Sequence, residues 1–277
     1  MIEIVEAVVL ARQFNRELQG KRIVEGGQGN SPHKFAFVSG SAEEYAAILP
    51  GKVIGEASDH GSVIRVGLEP GYALLLGEGG ERIRYHRDAS TLPKKYQFWL
   101  AFEDGGYLTV SIQGWGATML LPADQADAHN LMQPGRVSPL SAAFTREYFE
   151  GLFGQLTPED KTSLKAFMIT KPKVWGVGNG YLQDILFRAG MHPRRKAISL
   201  SAAERDTLYE ATVDTLRMAV ELGGRDTEFD LNDQPGGYVK LLDARSVGQP
   251  CVNCETPIEK EAYMGGTVYF CPECQKL

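Results

Sequence analysis

Lys171-Pro-Lys-Val-Trp-Gly-Val-Gly-Asn-Gly-Tyr181 is the stretch on which the fold turns. It lies between two helical patterns, at about 158–168 and 181–189. Glycines 176, 178 and 180 let the backbone approach a partner closely, and Asn179 tolerates a positive φ. The pattern does not follow a strand, which argues against a dinucleotide-binding loop. Two readings stand. One is a tight interhelical turn; the other is a backbone cradle for a phosphate, placed where the amides of the next helix begin. Residues 161–196 carry Lys161, Lys165, Lys171, Lys173, Arg188, Arg194, Arg195 and Lys196 against a single acid, Asp184, in a chain whose net charge is −6. A solvated helix face accounts for such a run, and so does a phosphate-binding surface.

Outward from this stretch the texture of the chain divides in two. Residues 3–19 read as an amphipathic helix that Gly20 stops. Short strand-like runs follow, namely 35–38, 53–54, 63–66, 72–76, 82–85, 98–102, 107–111 and 118–121. Turns such as Glu69-Pro70-Gly71 and Asp104-Gly105-Gly106 punctuate them, as in an antiparallel sandwich or barrel. Residues 122–137 are polar, contain Pro122, Pro134 and Gly135, and read as a linker. Helical patterns then cover about 141–153, 158–168, 181–189 and 202–222. Thr157-Pro158-Glu159-Asp160 has the composition of a helix start, Ser201 with Glu204 that of a capping box, and Gly223-Gly224 that of a stop. The predicted class is α+β. Its parts are a β-sandwich domain with a leading helix (1–121), the linker (122–137), a helical domain (138–245) and a terminal hairpin (246–277).

All four cysteines fall in that hairpin, as Cys251-Val-Asn-Cys254 and Cys271-Pro-Glu-Cys274 with sixteen residues between the pairs. This is zinc-ribbon spacing: each C-x-x-C turn offers two thiolates to one tetrahedral ion. Pro257–Tyr263 and Thr267–Phe270 can pair around Gly265-Gly266. A segment this short has little core of its own, whereas zinc contributes on the order of 10–16 kcal/mol in comparable peptides. Four thiolates leave no open coordination position, so one structural Zn²⁺ is expected at Cys251, Cys254, Cys271 and Cys274. A redox pair or two disulfides is the competing reading. The N-terminus, with glutamates among its apolar residues, does not read as a signal peptide. No run reaches the roughly 18 apolar residues of a membrane span. A cytoplasmic protein without a membrane partner is the expectation.

Gly176-Val-Gly-Asn179-Gly-Tyr181, Ile185-Leu-Phe-Arg-Ala-Gly-Met-His-Pro193 and Ser199-Leu-Ser201 resemble the helix–two-turn–helix region of the formamidopyrimidine-DNA glycosylase/endonuclease VIII family. Gly223-Gly224, Pro235-Gly-Gly-Tyr238 and the cysteine hairpin are similar to its C-terminal part. Met1-Ile-Glu-Ile-Val-Glu6 is similar to its catalytic N-terminus. The resemblance is specific over 157–275, good over 1–20 and architectural between. It implies a base-excision DNA repair enzyme, a monomer of the bacterial cytoplasm or nucleoid. Such an enzyme bends damaged double-stranded DNA in a cleft and everts a nucleotide. By the same resemblance Asn179 binds phosphate, with Lys171, Lys173, Gly178 and Tyr181 beside it. Trp115 and Gln113, in Ser111-Ile-Gln-Gly-Trp-Gly116, stand where the family wedges a side chain into the base stack. Read without the family, Trp115 is a core aromatic.

The chain also departs from the pattern. The family's nucleophile is a proline at position 2, and here the residue is Ile2. A large second residue blocks removal of Met1, which leaves the Ile2 nitrogen an amide without the lone pair that Schiff-base chemistry needs. Glu3 stands where the family places its catalytic acid and Glu6 where a supporting acid lies; both also suit the first turn of a helix. A phosphate-binding lysine is replaced by Ser62, and the hairpin arginine by glycine near Gly265-Gly266. The expected activity is a DNA glycosylase that hydrolyses the N-glycosidic bond with weak or absent lyase chemistry. The alternatives are a catalytically silent binder of abasic or distorted DNA, and a protein-interaction module using the zinc hairpin.

Overall fold

The computed structural model describes residues 1–277, which form two compact units. The first contains Met1–Gly135 and Leu222–Gly237, the second Arg136–Glu221 and Tyr238–Leu277. The unit boundary therefore differs from the predicted domain limits: residues 222–237 leave the helical part and fold with the β-rich part.

In the first unit α1 (Ile4–Gln13) leads. Ile4, Val5, Ala7, Val8, Leu10 and Ala11 are all buried, so the helix is enclosed rather than amphipathic. The helix continues into a wider turn over Phe14–Leu18. The strands are β1 (Ile23–Gln28), β2 (Ala36–Val38), β3 (Val53–His60), β4 (Val63–Glu69), β5 (Tyr72–Gly77), β6 (Glu81–His86), β7 (Phe98–Phe102), β8 (Tyr107–Ile112) and β9 (Gly116–Pro122), with α2 (Ala42–Ile48) between β2 and β3. They make two sheets, β1-β7-β8-β6 and β2-β9-β5-β4-β3. Alternate residues such as Leu74, Leu76, Leu100, Leu108 and Val110 fill the core between them together with Phe14 and Leu18. This follows from the period-2 side-chain alternation of strands. The expected sandwich is present.

Two elements were not predicted. β1 reads Ile-Val-Glu-Gly-Gly-Gln, whose glycines hide its strand character. α2 is capped by Ser41, whose hydroxyl accepts the Glu44 amide while the Glu44 carboxylate accepts the Ser41 amide. The expected linker is also partly structured. Residues Ala123–Ala128 form α3, and Ala126 and Met132 pack on Val63, Ala73 and Leu75 of the outer sheet face.

In the second unit α4 (Arg146–Phe153), α5 (Leu164–Ile169), α6 (Asn179–Arg188) and α7 (Ala202–Glu221) precede the hairpin β10 (Glu259–Tyr263) and β11 (Gly266–Phe270). The helix expected at 158–168 starts later. Asp160 accepts the Thr157 amide at 2.8 Å and closes a turn, so Thr157 does not cap a helix. Ser163 does so instead, its hydroxyl accepting the Ala166 amide at 3.2 Å. No helix of the protein is long and apolar enough to cross a membrane.

Candidate functional site

The N-terminal residues form a buried ionic cluster around Arg225. Its Nε donates to Glu6 Oε1 at 3.0 Å and its Nη2 to Glu6 Oε2 at 2.9 Å. Nη1 reaches Glu3 Oε1 at 3.2 Å, and Nη2 also donates to the Met1 carbonyl at 2.6 Å. Glu3, Glu6 and Arg225 are each no more than 5 % exposed. Three charges in so little water persist only because each is paired and hydrogen-bonded. Glu6 also accepts the Glu3 amide at 3.1 Å, which fixes the start of α1. The two expected acids are thus brought together by a cation that sequence reasoning missed. Its one textual signal was its place directly after the Gly223-Gly224 stop.

Ile2 is tied into the fold by both its side chain and its backbone. Its side chain is 4 % exposed within the sandwich core. Its N–H donates to the Gly79 carbonyl at 2.9 Å, while the Met1 amine pairs with Glu228 at 2.7 Å. With Met1 in place the Ile2 side chain packs in the core and its nitrogen is a backbone donor.

A further carboxyl joins this region. Glu81, at the start of β6, accepts the Gly79 amide at 3.0 Å and the Ala117 amide at 2.6 Å. Burial pushes its carboxyl up to about 7, the two amides and the nearby N-terminal charge offsetting part of that rise. The loop holding Glu78, Gly79 and Gly80 is bolted to the Gln113–Gly116 loop by Gly80 N–H to the Trp115 carbonyl and Gln113 N–H to the Gly80 carbonyl, both 2.8 Å. A Cβ at Gly79 would lie 2.0 Å from the Trp115 carbonyl oxygen, so only glycine permits the approach. Met1, Ile2, Glu6, Glu81, Gln113 and Glu228 are among the residues around a cavity of about 150 Å³. Trp115 is 41 % exposed, so it is not a core aromatic. Ser62, in the β3–β4 turn, hydrogen-bonds Glu78 at 3.0 Å.

In the second unit Asn179 opens α6, with Gly178 in extended conformation as its cap. Within the turn, positive φ is adopted by Lys173 and Gly176 and not by Asn179. The Asn179 Nδ2 donates to the Thr267 carbonyl at 3.1 Å, and Gln183 reaches both Asn179 Oδ1 at 3.0 Å and the Tyr269 amide at 3.2 Å. Lys165, 1 % exposed, donates to the Tyr263 carbonyl at 2.7 Å, and burial lowers its pKa. The turn and the hairpin are one hydrogen-bonded assembly. Lys171 is exposed and Lys173 half-buried. Tyr181 is fully buried, its ring 5.8 Å from that of Tyr238.

The sulfur atoms of Cys251, Cys254, Cys271 and Cys274 all lie within 4.8 Å of one another. None is bonded to another: contacts of 3.4 Å for Cys254–Cys271 and 3.8 Å for Cys251–Cys274 are far beyond a disulfide. Four sulfurs about 2.3 Å from a tetrahedral ion stand roughly 3.8 Å apart, so the donor set and its spacing fit a metal.

A two-sheet β unit with a leading helix, a helical unit with a glycine-rich turn, and a four-cysteine hairpin define a helix–two-turn–helix DNA-glycosylase fold. A family profile described as "Formamidopyrimidine-DNA glycosylase H2TH domain" matches residues 137–230. The formamidopyrimidine-DNA glycosylase of Methylobacillus flagellatus is 30 % identical over 234 residues, 83 % of this chain and 82 % of the relative. That of Streptococcus pneumoniae is 28 % identical over 100 % of this chain and 99 % of its own length. Among solved structures, Lactococcus lactis Fpg in complex with DNA containing an abasic site superposes with a TM-score of 0.85 at 21 % identity, covering 99 % of this chain and 100 % of that one. The chain belongs to the formamidopyrimidine-DNA glycosylase family.

Proposed function

We propose that the protein is a base-excision DNA glycosylase that acts on a damaged base in double-stranded DNA by hydrolysis, with little or no lyase chemistry. The observation that carries this reading is the pairing of Glu3 and Glu6 with Arg225 beside an Ile2 nitrogen that donates to the Gly79 carbonyl. A nitrogen held as an amide donor has no lone pair with which to attack C1′. A carboxylate placed beside C1′ can take a proton from water as the general base. Water adds to C1′ as the C1′–N bond breaks, its proton passing to Glu3 and then to the leaving base. Asn179, Lys171, Lys173 and Gly178 are assigned to phosphate, Trp115 and Gln113 to the gap in the stack. One Zn²⁺ on the four cysteines is assigned a structural role.

The supporting family relation is that relatives of this length bear the glycosylase name, and that similar folds hold DNA with abasic or oxidised sites. A second reading, a silent binder of abasic DNA, is favoured by the burial of Glu3, 4 % exposed against Arg225. Base release from a panel of lesion-bearing duplexes separates the two. Glu3→Gln is expected to abolish release by at least a hundredfold while leaving affinity for an abasic-site duplex within threefold. If no lesion is released by the native chain but abasic DNA is bound, the silent reading stands. Borohydride treatment on abasic DNA is expected to trap little covalent adduct; efficient trapping through the N-terminus would overturn the lyase-poor assignment.

A further inference from the structure

Three stretches of the first unit contain no carboxylate at all: 26–41, 89–102 and 105–123. The fold brings all three together. Asn30 donates to the Lys94 carbonyl and accepts the Tyr96 amide. Gln97 donates to the Ser31 carbonyl at 2.7 Å, and Ser111 to the Lys95 carbonyl at 3.1 Å. The Gly116 amide donates to the Phe35 carbonyl at 3.1 Å, and the parallel register Ala36↔Gly116 sets Phe35 beside Trp115.

The surface that results is aromatic and basic. Phe37 on β2 and Phe35, in the turn that leads into it, are 51 % and 49 % exposed, as is Trp115 at 41 %. The Phe35 ring is held from two sides, with the His33 ring edge-on at 6.3 Å and Lys34 Nζ at 5.4 Å from its centroid. Lys34, Lys94 and Lys95 are exposed around it. Of the carboxylates that flank these stretches, Glu78 accepts from Ser62, Glu81 is buried on two amides and Glu44 accepts the Ser41 amide, while Glu43 is exposed at the start of α2. Singly exposed apolar residues need no explanation, but three large rings on one contiguous, cationic surface mark a partner. β2 itself is three residues long and follows Pro32, a poor template for adding a strand of a second copy.

We propose that Phe35 and Phe37, with Lys34, Lys94 and Lys95, form a stacking platform that continues the Trp115 loop and takes unstacked bases of a DNA strand. Flat rings accept any base face, and the lysines take the phosphates between them. This rests on the reading of Trp115 as a DNA contact and adds to it a surface for the strand beyond the wedge. The platform holds unpaired bases after the duplex is opened, which an intact duplex cannot offer.

The test uses the full chain and a fluorescent (dT)12 strand, with an intact duplex of the same length as the comparison. Phe35→Ala/Phe37→Ala is expected to weaken (dT)12 binding at least tenfold and duplex binding less than threefold. Phe35→Tyr/Phe37→Tyr, which keeps both rings, is expected to restore the affinity; both pairs are exposed and should melt within about two degrees of the native chain. Lys34→Gln/Lys94→Gln/Lys95→Gln is expected to flatten the log affinity against log salt slope by about two. An affinity of the alanine pair within twofold of native overturns the platform. A native chain that does not bind (dT)12 at low salt also overturns it. If the native chain releases no base while the alanine pair still loses strand binding, the glycosylase reading falls and the platform stands. If base release is intact and strand binding unchanged, the reverse holds.

Discussion

Arg225 holds Glu3 and Glu6 together, and removing it leaves two buried carboxylates with one cation fewer between them. Breaking a buried ion cluster from one side typically costs about 3–5 kcal/mol. Arg225→Met should therefore lower the urea midpoint by that equivalent at unchanged m-value, and abolish base release with it; a stability loss under about 1 kcal/mol would mean that the cluster is solvated in solution. Glu81 makes a prediction of the opposite kind. Its folded pKa of about 7 lies above the usual 4.5, so the folded protein binds the proton more tightly than the unfolded chain. Stability from this group is then complete below about pH 4.5 and falls as pH rises towards 7. Glu81→Gln stays neutral but leaves one of the two amides facing an NH₂ group, a loss of roughly 1–3 kcal/mol at pH 5. The gap in melting temperature between native and Glu81→Gln protein should shrink from pH 5 to 7.5; a constant gap would show that Glu81 is already ionised at pH 5. Neither Arg225 nor Glu81 was legible in the sequence, because an isolated charge after Gly-Gly or at a strand start looks like surface. Their partners lie 219 residues away or are backbone amides. Glu3 and Glu6 were legible only through the family resemblance.

At the scale of elements, legibility followed the strength of local signals. Strands between turns at Glu69-Pro70-Gly71 and Asp104-Gly105-Gly106 were readable, and Phe98–Phe102 was placed to the residue. β1 was lost because Gly26 and Gly27 weaken any strand pattern, though a Cβ at Gly26 would press within 2.9 Å of the Trp99 carbonyl oxygen. The start of α5 was misplaced because cap-like residues at 157–160 satisfy one another before a helix can form. The hairpin was readable from four cysteines alone, yet its attachment was not. Lys165, Asn179 and Gln183 all bond its backbone, so the metal holds more than its own loop. A chelator should release one Zn²⁺ per chain and raise amide exchange in 259–270 and also in 176–183. Exchange confined to the hairpin would show that these three side chains do not transmit the loss.

For the whole molecule the net charge of −6 and a DNA partner are reconciled by distribution. Of the basic run at 161–196, Arg194 and Arg195 are paired with Glu261 and Glu204 at 2.6 Å, and Lys165 is buried. That leaves a short set of lysines, Lys171 and Lys173 foremost, for phosphate in the second unit. Each phosphate neutralised on duplex DNA contributes about −0.9 to the slope of log affinity against log salt. A handful of contacts predicts a slope between roughly −3 and −6, shallow for a DNA-binding protein. Lys171→Gln/Lys173→Gln should flatten it by about two while leaving the melting temperature unchanged, since neither side chain is in the core. The same variant should weaken all duplexes alike, damaged or not, because phosphate contacts position without reading the base. A change in lesion preference without a change in slope would instead make these lysines part of base recognition, and would move the phosphate grip to the aromatic platform of the first unit.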